Sequence, residues 1–514
     1  MLKRNLIANY VGQGWRVIMA LAFVPVYVDY LGIESYGLIG LFAVFQTSLG
    51  LLDMGMKPAL GREMARYTSG AHNEQTIWNL LRSIEVLSVM IATVVVVAFW
   101  GGSHWFANDW VQAQALSAQT VSQAFSLMGV VAALQFMDGI YTSCLGGLQR
   151  QVIQNVVMTT VATLRGVGAI GILVWISPTI QAFFLWQCAC SVLSVLANLM
   201  VVYRVLPRPP QPARFTFASL LSVWRFAAGM MGITFLVLLL MQVDKILLSR
   251  LLTLEAFGYY ALAGAVAGSL PLLVGPITAA YYPRFNTFVV NTDEAGLNRA
   301  FHNSAQLVSV IVGSTASVLI LFAEPVLVLW TGNENLAAQV APVMSVLTLG
   351  TLLNCLMWVP YQMQLAHGWT SLAIWINVVA VTLLVPTILL IVPIYGPIAA
   401  AWIWVALNAS YCIVGAQFMF RRILTTEKWT WYLQDVISPL AAAITVTTLA
   451  RLTCPVPVDR MWASILIASI GFLSIISANL TAPVVRQLVW RLVTQLCHWR
   501  LLPTPLPPSS NTSE

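Results

Sequence analysis

Stretches of roughly 20 apolar residues, separated by short polar turns, recur along this whole chain, and about that length of helix crosses a ~30 Å hydrocarbon layer. A backbone inside hydrocarbon must satisfy its own hydrogen bonds, so such runs fold as helices rather than as strands of a barrel. Only 8% of the residues are charged, 59% are hydrophobic and the mean hydropathy is +0.82, far too little polar surface to coat a soluble body of 514 residues. The expectation is an all-α, polytopic membrane protein. The first run, from Leu6, holds Gln13 and Arg16 and leads straight into another, which marks it as a span rather than a cleaved leader.

The runs predict about 14 spans, at 9–31, 36–60, 82–103, 120–149, 152–177, 180–205, 222–250, 257–282, 304–330, 337–366, 370–393, 397–420, 434–453 and 461–480. Charge placement orients them independently, because Lys and Arg collect on the cytoplasmic side. With both termini inside, the cytoplasmic ends hold Lys3, Arg4, Lys57, Arg82, Arg150, Arg204, Arg284, Arg421 and Lys428, whereas the outer ends hold only Arg250, Arg451 and Arg460. The net charge of +7 is therefore spread over alternate span ends. It forms no single basic patch, and no nucleic-acid partner is expected.

The Pro-rich stretch Pro207–Phe217 divides the chain. Shifting the sequence by 221 residues lays LTLEAFG (Leu252–Gly258) over LGIESYG (Leu31–Gly37), matching Glu255 to Glu34 and Gly258 to Gly37. Two parallel repeats follow, related by a pseudo-two-fold along the membrane normal, an arrangement that places a transporter's site between its halves. The expected organisation is a six-helix N-lobe at 1–206, a cytoplasmic linker at 207–219, a six-helix C-lobe at 220–424, two additional C-terminal spans at 425–482, and a segment at 483–514. In that last segment Val485, Leu488, Val489, Leu492 and Leu496 recur at helical spacing, which predicts a helix on the cytoplasmic leaflet before a disordered tail.

Polar residues inside the spans are the candidate site. Asn5, Asn9, Gln13 and Arg16 share one face of span one, and Arg16 is deep enough to need water, a partner or snorkelling. Counting at ~1.5 Å per residue from the turn at Arg150 puts Asp138 and Arg165 at similar depths, roughly 18 and 22 Å, so an ion pair across the hairpin is expected. Gln242, Lys245 and Ser249 share a face of span seven with Asp244 turned away, and Asp53 and Lys57 form an i, i+4 pair. Arg62 and Arg66 make a cytoplasmic basic rim. Asp53, Asp138 and Asp244 are coupling or structural acids.

Other patterns carry no chemistry. Gly166–Gly171 matches GxGxxG inside an apolar span with no preceding strand, which is no nucleotide site. Gly264 and Gly268 read as a close-packing GxxxG. Seven scattered Cys and five isolated His predict neither a disulfide framework nor a metal site, and no cofactor is expected.

Pro25–Arg66 resembles the polysaccharide flippase branch of the multidrug/oligosaccharidyl-lipid/polysaccharide exporter superfamily: a Pro near the end of span one, LG-x-E-x-YG at Leu31–Gly37, then D-x-G and basic residues, echoed weakly at Asp244–Pro283. The resemblance implies a non-enzymatic flippase in a bacterial inner membrane. It would carry undecaprenyl-diphosphate-linked oligosaccharide, an O-antigen or other surface-polysaccharide unit, to the periplasmic leaflet by alternating access. Its partners would be that polyprenyl-diphosphate-linked glycan, membrane lipids and other polysaccharide assembly proteins. Asn9, Gln13, Arg16, Arg165, Gln242 and Lys245 would line the substrate path, the cations replacing the hydration that a diphosphate loses in hydrocarbon. A cation-coupled multidrug antiporter and a lipid II flippase are the alternatives within the superfamily. A membrane polymerase or ligase needs a long outer loop with paired functional residues, and the longest expected here, about Ser103–Thr120, has one acid and no Lys or Arg.

Overall fold

A computed structural model describes residues 12–16, 18–53, 55–218, 220–221, 242–457, 459–483 and 486. The segments used below are α1 (Gly12–Leu31), α2 (Ile33–Ser48), α3 (Met56–Thr68), α4 (Glu74–Trp105), α5 (Ala118–Gly147), α6 (Gln151–Trp175), α7 (Ile180–Val205), α8 (Leu254–Ala267), α9 (Glu294–Leu321), α10 (Ser438–Thr453) and α11 (Arg460–Thr481). Twelve helices among the described residues are long and apolar enough to cross a membrane, and they coincide with twelve of the expected runs. The second run is the 16-residue α2, and the seventh is described only from residue 242, where it is helical. The expected surface helix and tail beyond residue 486 lie outside the described residues. Large apolar side chains face outward at levels no aqueous surface would tolerate, with Trp175 84% and Val94 67% exposed, as hydrocarbon as solvent requires.

Two compact units emerge. One comprises Met1–Ala267, Leu327–Leu347 and Asn377–Trp404; the other comprises Gly268–Val326, Thr348–Ile376 and Val405–Glu514. The first has a core in which Leu60 and Met64 of α3 meet Leu81 of α4, Ile140 and Cys144 of α5 and Val202 of α7. In the second, Phe301 and Val308 of α9 pack with Met363, Met419, Phe420 and Trp431.

Local chemistry sets several boundaries. The third span starts earlier than its hydropathy implies, because the Asn73 side chain accepts from Thr76 N at 2.8 Å and caps α4. It also ends later, through a π-helical turn at Phe106–Trp110. The second run breaks before its expected end at residue 60: α2 passes into a 3-10 turn at Leu49–Asp53, Asp53 Oδ1 accepts from Gly55 N at 2.7 Å, and Gly55 takes φ +74°, a left-handed conformation that glycine adopts without steric cost. Gly32, at φ +80°, makes the equally sharp turn between α1 and α2.

The LG-x-E-x-YG turn is held by its acid. Both Glu34 carboxylate oxygens are used, Oε1 by Gln114 N at 2.8 Å and Oε2 by Ala115 N and Leu116 N at 2.9 Å each. The same strap reaches the second copy of the motif, where Leu254 N donates to Gln112 O at 2.9 Å and Gln112 Nε2 to Arg250 O at 3.1 Å. Glu255 differs from its counterpart, since it accepts from Tyr259 Oη at 2.6 Å.

The helices that follow the two motif copies cross each other reciprocally. A Cβ on Gly37 would lie 2.7 Å from Leu254 O, and one on Gly258 would lie 2.5 Å from Ile33 O. These are equivalent positions under the 221-residue shift, as are Gly40 and Ala261, which face each other. Gly37→Ala and Gly258→Ala are each expected to cost about 1–3 kcal/mol by overpacking against backbone. Because one displacement of α8 from α2 relieves both clashes, the double variant should cost less than the sum. Thermal unfolding of the purified variants checks this, and strict additivity would contradict the shared crossing.

The glycines of the dismissed GxGxxG are seats for aromatic rings, Gly166 for Phe23 and Gly168 for Trp186. The close packing expected of the GxxxG is not made at Gly264, where a Cβ would meet nothing within 4 Å among the described residues.

Candidate functional site

A polar seam runs through the first unit where α3, α5, α6 and α7 converge. Lys57, in the first turn of α3, lies 3.9 Å from Asp53, the expected i, i+4 pair. Its side chain passes close over Gly139, where a Cβ would stand 2.5 Å from Lys57 Cε, and its ammonium is 5.1 Å from the Phe136 ring centroid. Asp138, beside that glycine on α5, is within electrostatic reach of both Lys57 and Arg165.

The expected direct Asp138–Arg165 ion pair is not made. α7 supplies the partners of both groups: Ser194 Oγ donates to Asp138 Oδ2 at 2.9 Å, Asn198 Nδ2 to Oδ1 at 2.8 Å, and Arg165 Nη2 donates to Ser191 Oγ at 2.9 Å. Matching depth brought the two residues to one level, but each turns toward α7 instead of toward the other. Asp138 is satisfied by neutral donors. Arg165 is not, for its Nε is buried with no acceptor among the described residues. A partly buried guanidinium bonded there to a single serine hydroxyl keeps most of its capacity to grip an anion.

Ser191, Ser194 and Asn198 were absent from the candidate set although their i, i+3, i+7 spacing in CSVLSVLANL marks one helical face. All three are buried. Gln135, one turn before Asp138, adds a close hydrogen bond from Gln46 of α2, and neither glutamine was singled out.

Span one docks on α6 through Trp15, whose Nε1 donates to Thr163 Oγ1 at 2.8 Å, and through Gly12 against Asn155. Arg16 finds its partners on its own helix, Gln13 Oε1 at 2.9 Å from Nη2 and Gly12 O at 3.4 Å from Nε. The Gln13–Arg16 part of the polar stripe is thus a bonded pair, and Asn9 lies outside the described residues. In span seven, Gln242 is buried and Asp244 Oδ1 is buried with no donor among the described residues, beside Lys245 and Tyr260. Ser249 is buried and accepts from Trp110 Nε1 at 3.1 Å.

Arg62 and Arg66 form the half-exposed rim of α3, but they converge on an acid. Glu63 holds Arg66 at 3.2 Å, Arg62 at 3.9 Å and His72 Nε2 at 2.6 Å. A second anchored acid, Glu85 of α4, accepts from Tyr203 Oη at 3.0 Å, Tyr141 Oη at 3.2 Å and Arg82 Nη1 at 3.2 Å, which ties α4, α5 and α7 together. On the motif side, a cleft of about 500 Å³ is lined by Val28, Gly32, Ile33, Tyr259, Asn333, Asn335 and Gln339 among others, none of them charged.

A family model described as polysaccharide biosynthesis protein matches residues 2–289. A protein described as an O-antigen transporter of Shigella flexneri is 19% identical over 401 residues, covering 78% of this chain and 93% of that protein. A succinoglycan biosynthesis transport protein of Rhizobium meliloti (strain 1021) is 26% identical over 270 residues, covering 50% of this chain and 51% of the relative. Among solved structures, a lipid II flippase, MurJ, in an inward closed conformation superposes with a TM-score of 0.70 at 12% identity, covering 94% of this chain and 99% of that one. An inward-facing multidrug transporter of the MATE family gives 0.65 at 14% identity over 80% and 96%. These two likenesses establish the fold.

Proposed function

Since the chain belongs to the polysaccharide biosynthesis protein family, whose model matches more than half of it, we propose that it is a flippase. It moves a polyprenyl-diphosphate-linked oligosaccharide from the cytoplasmic to the outer leaflet of a bacterial inner membrane. Both termini are cytoplasmic on this reading, in keeping with the Lys and Arg distribution. Two relatives, one described as an O-antigen transporter and one as a succinoglycan biosynthesis transport protein, support this substrate class.

The observation that carries the reading is Arg165, a partly buried guanidinium whose buried Nε has no acceptor among the described residues, beside an acid satisfied by neutral groups. A diphosphate leaving water needs such a cation to replace its hydration. On this reading Arg16, Gln13 and Asn9 form the approach from the cytoplasm, Lys245 and Gln242 line the path further along, and Asp53, Asp138 and Asp244 are coupling or structural acids. The glycan itself needs hydroxyl-matching amides and no charge, which the uncharged cleft near Asn335 and Gln339 provides. The reaction breaks and forms no covalent bond, so no catalytic residue is assigned.

Native mass spectrometry of lipid retained by the purified protein tests the substrate class. A polyprenyl-diphosphate glycan is the expected adduct, and a small organic cation in its place would point to the antiporter. Arg16→Lys should keep part of the flipping activity and Arg16→Ala should lose nearly all of it with insertion unchanged, because a guanidinium grips phosphate oxygens in a bidentate fork that an ammonium only approximates. Reduced insertion with normal turnover per folded molecule would instead make Arg16 an interfacial anchor.

A further inference from the structure

The second unit contains a partly buried acid–base cluster that the flippase reading does not use. His302 of α9 is bonded at both ring nitrogens, Nδ1 to Asp435 Oδ2 at 2.5 Å and Nε2 to Glu427 Oε2 at 3.1 Å. One turn to either side, Gln306 Nε2 donates to Asp435 Oδ1 at 2.8 Å and Asn298 Nδ2 to Glu427 Oε1 at 3.4 Å. Residues 298, 302 and 306 thus stitch one face of α9 to the segment that leads into α10. Asp435 is completely buried and sits in a π-helical turn, Trp431–Ile437, a conformation found mostly where a side chain must be re-aimed for function.

The proton count of this cluster is constrained. A neutral imidazole has one N–H and one lone pair, so with both carboxylates ionised one of its two contacts would set a lone pair against an anion. Both contacts can be hydrogen bonds only if the cluster carries one proton more, on the second ring nitrogen or on a carboxyl. Asp435 and Glu427 are the titratable groups acting on His302, and His302 and Glu427 those acting on Asp435. Among the described residues, no three His, Cys, Asp or Glu are arranged to hold a metal ion.

We propose that His302, Asp435 and Glu427 form a proton-binding site, in which the bound proton fastens the Glu427–Ile437 segment, and with it the α10–α11 pair, to α9. Losing the proton breaks one of the two imidazole contacts and leaves an ionised carboxylate against the ring's lone pair. The segment is therefore held at low pH and released as pH rises. α10 and α11 are the additional spans outside the six-plus-six scheme, so the site makes their attachment responsive to pH.

The test is hydrogen exchange of segment 427–437 in the full chain in lipid nanodiscs, with His302→Gln and wild type compared at the same pH so that intrinsic exchange chemistry cancels. The exchange ratio of variant to wild type should be large near about pH 6 and fall toward one by about pH 8.5, at up to about tenfold per pH unit, as for release of a single ligand from the closed form. Glu427→Gln, at the more exposed end of the cluster, offers an amide N–H to the imidazole lone pair and lets a neutral ring keep both contacts, so its ratio should be near one at about pH 6 and fall below one by about pH 8.5; it serves if His302→Gln fails to fold. A ratio independent of pH would make the cluster a structural seam and overturn the proposal. So would wild-type protection that responds to added zinc or a chelator and not to pH.

Discussion

Arg165→Gln is expected to lower lipid-linked glycan flipping by about a hundredfold, the loss that corresponds to about 2.7 kcal/mol of a charge-assisted hydrogen bond. Arg165→Lys should fall between, since it keeps the charge without the planar fork. The competing explanation is that Arg165 only balances Asp138 inside the bilayer. On that view the double variant Asp138→Asn, Arg165→Gln should recover activity, because it removes both charges together. The geometry argues otherwise, for Asp138 already has Ser194 and Asn198 while Arg165 Nε has no acceptor among the described residues. The double variant should remain as inactive as Arg165→Gln alone, and recovery would assign Arg165 a structural role.

Glu34→Ala is expected to destabilise the protein by about 3 kcal/mol, since it strips the acceptor from three consecutive backbone N–H groups at about 1–3 kcal/mol for each one left unmet, less what water at the membrane edge repairs. Glu34→Gln should cost about half as much, because the amide oxygen still accepts but the charge assistance is lost. Thermal unfolding in nanodiscs reads both. A Glu34→Ala variant as stable as wild type would mean that the 114–116 strap is held by something else. The strap also hydrogen-bonds the second motif copy at Leu254 and Arg250, so Glu34→Ala should loosen both hairpins together.

The spans were legible because each is long, apolar and bounded by charge, which a one-dimensional reading captures. The break after Ser48 was not: a 3-10 turn and a left-handed Gly55 are as apolar as a continuing helix, and only the Asp53 side chain bonded to Gly55 N distinguishes them. Residue counting placed Asp138 and Arg165 at one depth but carries no information on which way each side chain turns, so the intervening serines and asparagine of α7 were missed despite their spacing. The 221-residue shift pairs Gly37 with Gly258, and nothing in the shift says that the two meet at one helix crossing. His302 and Asp435 are 133 residues apart in sequence in a chain with few histidines, and no local pattern joins them.

The central claim is that this chain moves a polyprenyl-diphosphate glycan across a bilayer, and the direct measurement is translocation in proteoliposomes. A labelled polyprenyl-diphosphate oligosaccharide placed in both leaflets is exposed to a membrane-impermeant reagent that destroys only the outer pool. With wild-type protein the inner pool should become accessible and the signal should fall nearly to zero, whereas Arg165→Gln vesicles should plateau near half. A plateau near half with folded wild-type protein, in vesicles that move an organic cation, would contradict the account.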